Sequence, residues 1–181
     1  MHMATATKKW TLEELHSLPE DGNKYELVRG ELFVTPPPDP EHETIAARLT
    51  RLIDPYVEAN GLGFVYRPKA VVRYDGSEVE PDLMVSQRIP SAGGDTAWDR
   101  APKPILIVEI HAGSTRRRDK LQKRSLYMDA GIAEYWMIDP ERRTITSVRR
   151  DVADVVATGE MTWSPPGVTE ALTFEVARVF D

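Results

Sequence analysis

The chain has 181 residues, of which 41% are hydrophobic and 29% charged, with a formal net charge of -6. These values fit one globular domain over 1–181 that buries a core, and no apolar run approaches the roughly 20 residues that a membrane span needs, so no membrane partner is expected. The absence of cysteine excludes disulfides and Cys-ligated metal sites, and it fits a cytoplasmic protein.

The first third of the chain predicts short helices and hairpins. Residues 1–9 are polar and expected to be flexible, and Met1-His2 looks like a cloning remnant. Residues 10–18 predict a short amphipathic helix, and KYELVRGELFVT predicts a hairpin with strands at 24–28 and 31–35. Apolar residues at helical spacing predict a helix over 41–53, which Pro55 is expected to kink or end.

The middle and end of the chain predict a mixed sheet. Strands are expected at 64–66, 69–74 and 78–85, followed by a surface loop over 90–103. ILIVEI (105–110) has the composition of a strand covered on both faces. A helix over about 116–130, capped by Ser114 or Thr115 and ended by Gly131, then leads to a strand at 134–138. This order predicts a βαβ unit, with further strands at 143–149, 154–158 and 170–176.

Two carboxylates interrupt apolar strands. Glu109 lies inside ILIVEI, where a buried carboxylate must be paired, protonated or metal-bound; a solvent-facing edge position is the alternative. Asp82 follows Pro81 at the start of another apolar run. If the two acids converge, they could hold Mg²⁺ or Mn²⁺, with Glu80 as a helper ligand or as a solvated acid. Without metal, the two carboxylates would repel, so they are expected to bind a proton more tightly than a lone acid.

A basic helix follows the Glu109 strand. Lys120, Lys123 and Tyr127 share one face by their spacing, and the helix N-terminus is suited to bind a phosphate. The basic residues of this segment are Arg116, Arg117, Arg118, Lys120, Lys123 and Arg124. They form either a phosphate-binding patch or a solvated helix face. A metal ion, a lysine and a phosphate-binding helix N-terminus together suit phosphodiester hydrolysis by an activated water.

An ordered set of motifs resembles the Uma2 group of restriction-endonuclease-like proteins, within the PD-(D/E)XK nuclease superfamily. The matching motifs are YELVRGEL (25–32), EPDLMV (80–85), and VEI followed by STRRRDKLQKRSLYMDAGIAEYWMIDP (114–140). The resemblance covers roughly residues 10–150 and is expected to extend to the C-terminal strands. It implies an α/β fold (an α+β mixed sheet) with a restriction-endonuclease-like core, in which helices flank a central mixed β-sheet that includes the βαβ unit.

The resemblance also implies roles for individual residues. Asp82 and Glu109 correspond to the metal-binding acids. The superfamily lysine usually follows the second acid by two residues, where this chain has His111; in the Uma2 pattern the lysine maps to Lys123. The dipeptide at 112–113 is Ala-Gly where the family usually has Ser-Pro, which puts in doubt how the following helix is held.

Glu26 and His42 match family positions and are auxiliary candidates, structural or catalytic, and His111 is a third auxiliary candidate. Trp98, in the long loop, is a candidate substrate contact.

The resemblance implies a metal-dependent nuclease that uses Mg²⁺ or Mn²⁺ and acts on nucleic acid, with DNA as the expected substrate. In that role the residues Arg116, Arg117, Arg118 and Lys120 would contact phosphates. A catalytically degenerate protein that binds nucleic acid or a partner protein without cleaving is the alternative, and an enzyme of another kind with the same metal site is a third. A homodimer is left open.

Overall fold

The computed structural model describes residues 8–89, 94–111 and 117–181, and the side chains of these except 94–96 and 117–119. The helices are α1 (Leu12–His16), α2 (Pro40–Ala59), α3 (Arg117–Asp129) and α4 (Ala177–Phe180), with a 3₁₀ helix over Gly94–Arg100. The strands are β1 (Lys24–Val28), β2 (Glu31–Thr35), β3 (Phe64–Tyr66), β4 (Val72–Tyr74), β5 (Ser77–Val79), β6 (Leu83–Ser86), β7 (Leu106–Ile110), β8 (Glu134–Asp139), β9 (Thr144–Val148), β10 (Val155–Ala157), β11 (Glu160–Trp163) and β12 (Leu172–Glu175).

The strands of the described residues form three sheets. One has the order β2-β1-β5-β4, the central one has the order β10-β9-β8-β7-β6-β3, and β11 pairs with β12. β7 and β8 are parallel and are joined through α3, while the other pairings are antiparallel. The mixed sheet and the predicted βαβ unit are therefore confirmed.

The six-stranded sheet is covered on both faces, as the apolar composition of β7 predicts. On one face, α2 and the C-terminal elements pack on alternate residues that include Leu106 and Val108. On the other face, α3 and the four-stranded sheet pack on Ile107, Met84 and Tyr135. Glu109 alternates with Val108 and therefore shares the α3 face with Ile107.

Two of the predicted elements differ from those in the structure, and a proline is involved in each case. The strand expected over 78–85 is two strands, because the chain breaks at Pro81 and passes from β5 in the four-stranded sheet to β6 in the six-stranded sheet. Conversely, α2 continues through Pro55 to Ala59. Pro55 lies on the exposed face of α2, where water can solvate the carbonyl that loses its donor, while Ile53 and Val57 on the buried face hold the last turns in place.

Three other segments add to the predicted elements. The segment expected to be a surface loop contains the 3₁₀ helix, whose Trp98 is partly buried and packs edge-on against Tyr66. At the C-terminus, β11 and α4 were not predicted, and β12 pairs with β11 rather than with the central sheet.

No helix in the described ranges has the length and apolarity that a membrane crossing requires.

Candidate active site

Strand pairing brings Asp82 and Glu109 together. In the antiparallel pair of β6 and β7, Leu83 lies opposite Val108. Continuing this register by one residue places Asp82 opposite Glu109, and directly opposed side chains lie on the same face of a sheet. The Ile110 N–H donates to Asp82 Oδ2 at 2.7 Å, which ties the two strand ends together. Both acids are buried and line one cavity of about 660 Å³.

Lys123 joins Glu109 to a third buried acid, Glu26. Lys123 Nζ donates to Glu109 Oε1 at 2.9 Å and to Glu26 Oε1 at 2.7 Å. The Tyr127 hydroxyl donates to the same Glu109 oxygen at 2.7 Å, and the Glu80 N–H donates to the same Glu26 oxygen at 2.8 Å. Burial alone would lower the pKa of Lys123, but the charges of Glu109 and Glu26 outweigh burial and raise it. Lys123 is therefore a fixed cation.

A second cluster surrounds Asp82. His42 Nε2, at the start of α2, lies 3.1 Å from Asp82 Oδ2, and Lys24 Nζ, on β1, lies 3.4 Å from Asp82 Oδ1. Lys24 Nζ also donates to the main-chain oxygen of Glu80 at 3.0 Å. Lys24 and Glu26 both reach the cavity because residues two apart on a strand share a face.

The protonation expected for the acid pair is wrong for Asp82. Burial would raise the pKa of Asp82, but the hydrogen bond with His42, the Lys24 charge and the Ile110 N–H outweigh burial and lower it. Carboxylate repulsion is thus more than offset by neighbouring cations and donors. The same contact acts on His42, whose pKa burial would lower but which the Asp82 hydrogen bond and charge raise.

The cavity as a whole is acidic. Its lining includes eight carboxylates against three lysines: Glu20, Glu26, Asp39, Glu43, Glu78, Glu80, Asp82 and Glu109 against Lys24, Lys69 and Lys123. Burial and the nearby charge of Glu26 raise the pKa of Glu80. A cavity with this charge attracts cations and repels phosphate unless a cation is present.

The donor set fits a hard, hydrated divalent cation. Glu109 Oε2 accepts no hydrogen bond from the described residues, and Asp82 Oδ1 has only the 3.4 Å contact with Lys24. Within the described ranges, no group of three or more His, Cys, Asp or Glu is arranged to hold a metal ion. Two carboxylate ligands suit Mg²⁺ or Mn²⁺, which keep several waters, better than a zinc site with three or four protein ligands.

The other predicted site residues fall into three groups. His111 is buried, lines the cavity, and has Nε2 at 3.1 Å from the Tyr135 hydroxyl. Lys120 is half-buried on α3 and is not among the residues that line the cavity. Arg117 and Arg118 begin α3, but their side chains lie outside the description, as do the following residues entirely: Arg116, the predicted caps Ser114 and Thr115, and the Ala-Gly dipeptide at 112–113.

Sequence reasoning missed two contacts of the site. Lys24 was not singled out, although its spacing of two from Glu26 on a predicted strand indicates a shared face. Tyr127 was expected to share one face of the helix with Lys120 and Lys123, and its buried hydroxyl in addition donates to Glu109.

Comparisons with known proteins agree with this architecture. A crystal structure of a putative nuclease belonging to DUF820 from Anabaena variabilis matches with a TM-score of 0.74 and 18% identity, covering 94% of this chain and 97% of that chain. At this identity the likeness shows the fold. No curated protein matches the chain significantly. The Uma2 family model, described as a putative restriction endonuclease, matches residues 12–177. The resemblance seen in the sequence is thereby confirmed, and the chain belongs to the Uma2 family.

Proposed function

We propose that this protein is a divalent-metal-dependent nuclease that hydrolyses phosphodiester bonds in DNA. The observation that carries the proposal is the convergence of three buried side chains, Asp82, Glu109 and Lys123, on one cavity. Membership of a family described as putative restriction endonucleases supports a nuclease that acts on nucleic acid. DNA as the substrate and Mg²⁺ or Mn²⁺ as the ion are parts of the proposal.

The residues divide the work of hydrolysis. The oxygen of water forms a bond to phosphorus, one bridging P–O bond breaks, the water proton passes to solvent, and the leaving oxygen takes up a proton. A cation bound to Asp82 and Glu109 would lower the pKa of its water and offset negative charge on the phosphate. In the metal-free protein the charges of Glu109 and Glu26 raise the pKa of Lys123. Its ammonium group would stabilise the attacking oxygen or a phosphoryl oxygen by its charge.

Glu26 and His42 are positioning residues in this scheme. Glu26 holds Lys123 at 2.7 Å while its own oxygen is fixed by the Glu80 N–H. His42 holds Asp82 Oδ2 at 3.1 Å. Each contact limits the rotamers of a residue that would touch the ion or the phosphate, which is how a rigid site keeps its reacting groups aligned.

The direct test is plasmid nicking with Mn²⁺, with and without EDTA. We expect cleavage by the wild type that EDTA abolishes, and a loss of at least about 100-fold in Glu109→Gln and Lys123→Met. The matched control is Glu134→Gln. Glu134 is also a buried strand acid, but its carboxylate accepts from Trp136 Nε1 and Ser147 Oγ, and it does not line the cavity.

Two outcomes would contradict the proposal. Cleavage by Glu109→Gln at the wild-type rate would remove the site from the reaction. Salt-sensitive DNA binding by the folded wild type without Mn²⁺-dependent cleavage would instead favour the alternative, a nuclease-fold protein that binds nucleic acid without cutting it.

A further inference from the structure

We propose that Lys24 is a displaceable cation: it balances the charge of Asp82 in the metal-free protein, gives way to the divalent ion, and then binds a phosphoryl oxygen of the substrate. This inference rests on the proposed function, because it assumes that Asp82 binds an ion. Its basis is a difference between the two lysines that face the buried carboxylates.

The two lysines are held in different ways. Lys123 Nζ makes short bonds of 2.7 and 2.9 Å to two carboxylates, and its side chain is 7% exposed. Lys24 Nζ lies 3.4 Å from Asp82 Oδ1, the one carboxylate among the described residues with which it forms an ion pair, and its side chain is 20% exposed. Charge-assisted N–H···O bonds of full strength measure about 2.7–2.9 Å. The ammonium group of Lys123 is therefore held firmly by its two carboxylates, whereas that of Lys24 makes a weak contact with Asp82 that a bound ion can replace.

The remaining contact keeps Lys24 close after displacement. Its Nζ donates to the Glu80 main-chain oxygen at 3.0 Å, a bond that does not depend on Asp82. An ammonium group has three donors, so two stay available for a phosphate. The flexible side chain allows a local shift within the cavity, which Lys24, Glu80 and Asp82 all line.

This role predicts opposite effects on ion and substrate. Lys24 competes with the ion for Asp82, so its removal strengthens ion binding. The same removal takes a cation from a cavity of eight carboxylates, so the phosphate binds less well. A purely structural lysine would behave differently, since its loss would loosen the site and weaken the binding of ion and substrate together.

The experiment measures Mn²⁺ affinity by calorimetry on the full chain, followed by steady-state plasmid nicking at saturating Mn²⁺. We expect Lys24→Met to bind Mn²⁺ about tenfold tighter than wild type. In nicking, its KM should rise about tenfold with a smaller fall in kcat. Lys24→Arg keeps the charge and should lie close to wild type in both measurements. The matched control for the Mn²⁺ affinity is Lys69→Met, because Lys69 lines the same cavity but is exposed and makes no ion pair with a described residue.

The outcomes separate this inference from the proposed function. If wild type and Lys69→Met bind Mn²⁺ and Lys24→Met binds no tighter, the displacement role is wrong while the metal site stands. If neither the wild type nor any of the variants binds Mn²⁺, the metal site itself is wrong and both proposals are contradicted. Lys24→Gln, which keeps a donor for the Glu80 oxygen, gives the same comparison if Lys24→Met does not fold.

Discussion

Lys123 compensates two buried carboxylates with one ammonium group. Its replacement by methionine leaves Glu26 and Glu109 buried without their cation, and breaking a buried ion pair in this way costs about 3–5 kcal/mol. We therefore expect Lys123→Met to lower the Tm by about 6–20 °C at neutral pH. The control is Lys120→Met, one turn earlier on α3 and outside the cavity lining. Equal melting temperatures of the two variants would contradict the pairing.

Asp82 supports the fold through its three partners. Asp82→Ala leaves His42 and the Ile110 N–H without their acceptor and removes the carboxylate contact of Lys24, so we expect it to lower the free energy of unfolding by about 2–4 kcal/mol. Asp82→Asn should cost less, because its amide oxygen still accepts from Ile110. Urea unfolding of both variants without metal measures the difference. Carboxylate repulsion alone predicts the reverse, an unchanged or more stable Asp82→Ala protein.

The pair of His42 and Asp82 predicts a pH dependence. The Asp82 hydrogen bond and charge raise the pKa of His42 against the effect of burial. The contribution of His42 is therefore complete below its unfolded pKa of about 6.5 and is lost as the pH rises through the folded pKa. Asp82 has a lowered pKa, so its contribution is lost only as the pH falls below about 4.

We thus expect His42→Gln to destabilise the protein most near pH 5–6, and less at about pH 9. Urea unfolding of wild type and variant at both pH values gives the two differences. The same difference at both pH values would show that His42 contributes by packing and not by charge.

The carboxylates of the site were predictable from sequence because they stand out in apolar strands. Glu109 and Asp82 are anomalies that strand periodicity reveals, and their cross-strand position follows once β6 and β7 pair. The partners were harder to find. Lys24 resembles any polar strand residue, and only the crossing of the chain at Pro81 brings Asp82 within 3.4 Å of it. The state of the acids depends on such partners, which explains why repulsion predicted the wrong direction for Asp82.

At the scale of elements, the sequence predicted the features that depend on neighbouring residues, such as the strands and turn of a hairpin. The strands 24–28 and 31–35 match because Arg29 and Gly30 take positive φ values of 51° and 82° between them, a turn that glycine favours. Which sheet a segment joins is not a local property. The run 78–85 looked continuous, yet its halves belong to different sheets, because β5 pairs with β1 and β6 pairs with β7.

Gly63 fixes how β3 approaches β6. It has a φ of +111°, and a Cβ there would meet the Ser86 main-chain oxygen at 2.1 Å. The backbone would have to move, so we expect Gly63→Ala to cost about 3 kcal/mol or more. Gly61→Ala is the matched control, with a φ of +62° and no atom within 4 Å of the added Cβ; we expect a cost of about 1 kcal/mol. Thermal melting of both variants measures the two costs, and a Gly63 variant no less stable than the control would contradict the close approach.

At the scale of the molecule, the site lies where the two larger sheets meet. Lys24 and Glu26 come from β1 of the four-stranded sheet, Glu109 from β7 of the six-stranded sheet, and Asp82 from the crossing between the sheets. Their side chains come together only in the folded chain. An ion that binds them therefore binds the native state in preference to the unfolded state, and it also relieves the excess of carboxylates in the cavity.

We accordingly expect Mn²⁺ to raise the Tm of the wild type. At an ion concentration of about 100 times Kd, linkage gives about 2.7 kcal/mol, or about 5–11 °C for a chain of this size. Glu109→Gln loses a ligand and should show little or no rise, whereas Glu134→Gln, whose buried acid lies outside the cavity lining, should respond like wild type. The measurement is a melting curve at several Mn²⁺ concentrations, with EDTA as the reference. Equal rises in all three proteins would place the stabilising ion elsewhere than on Glu109, and the absence of a rise in wild type would argue against an ion site in this cavity.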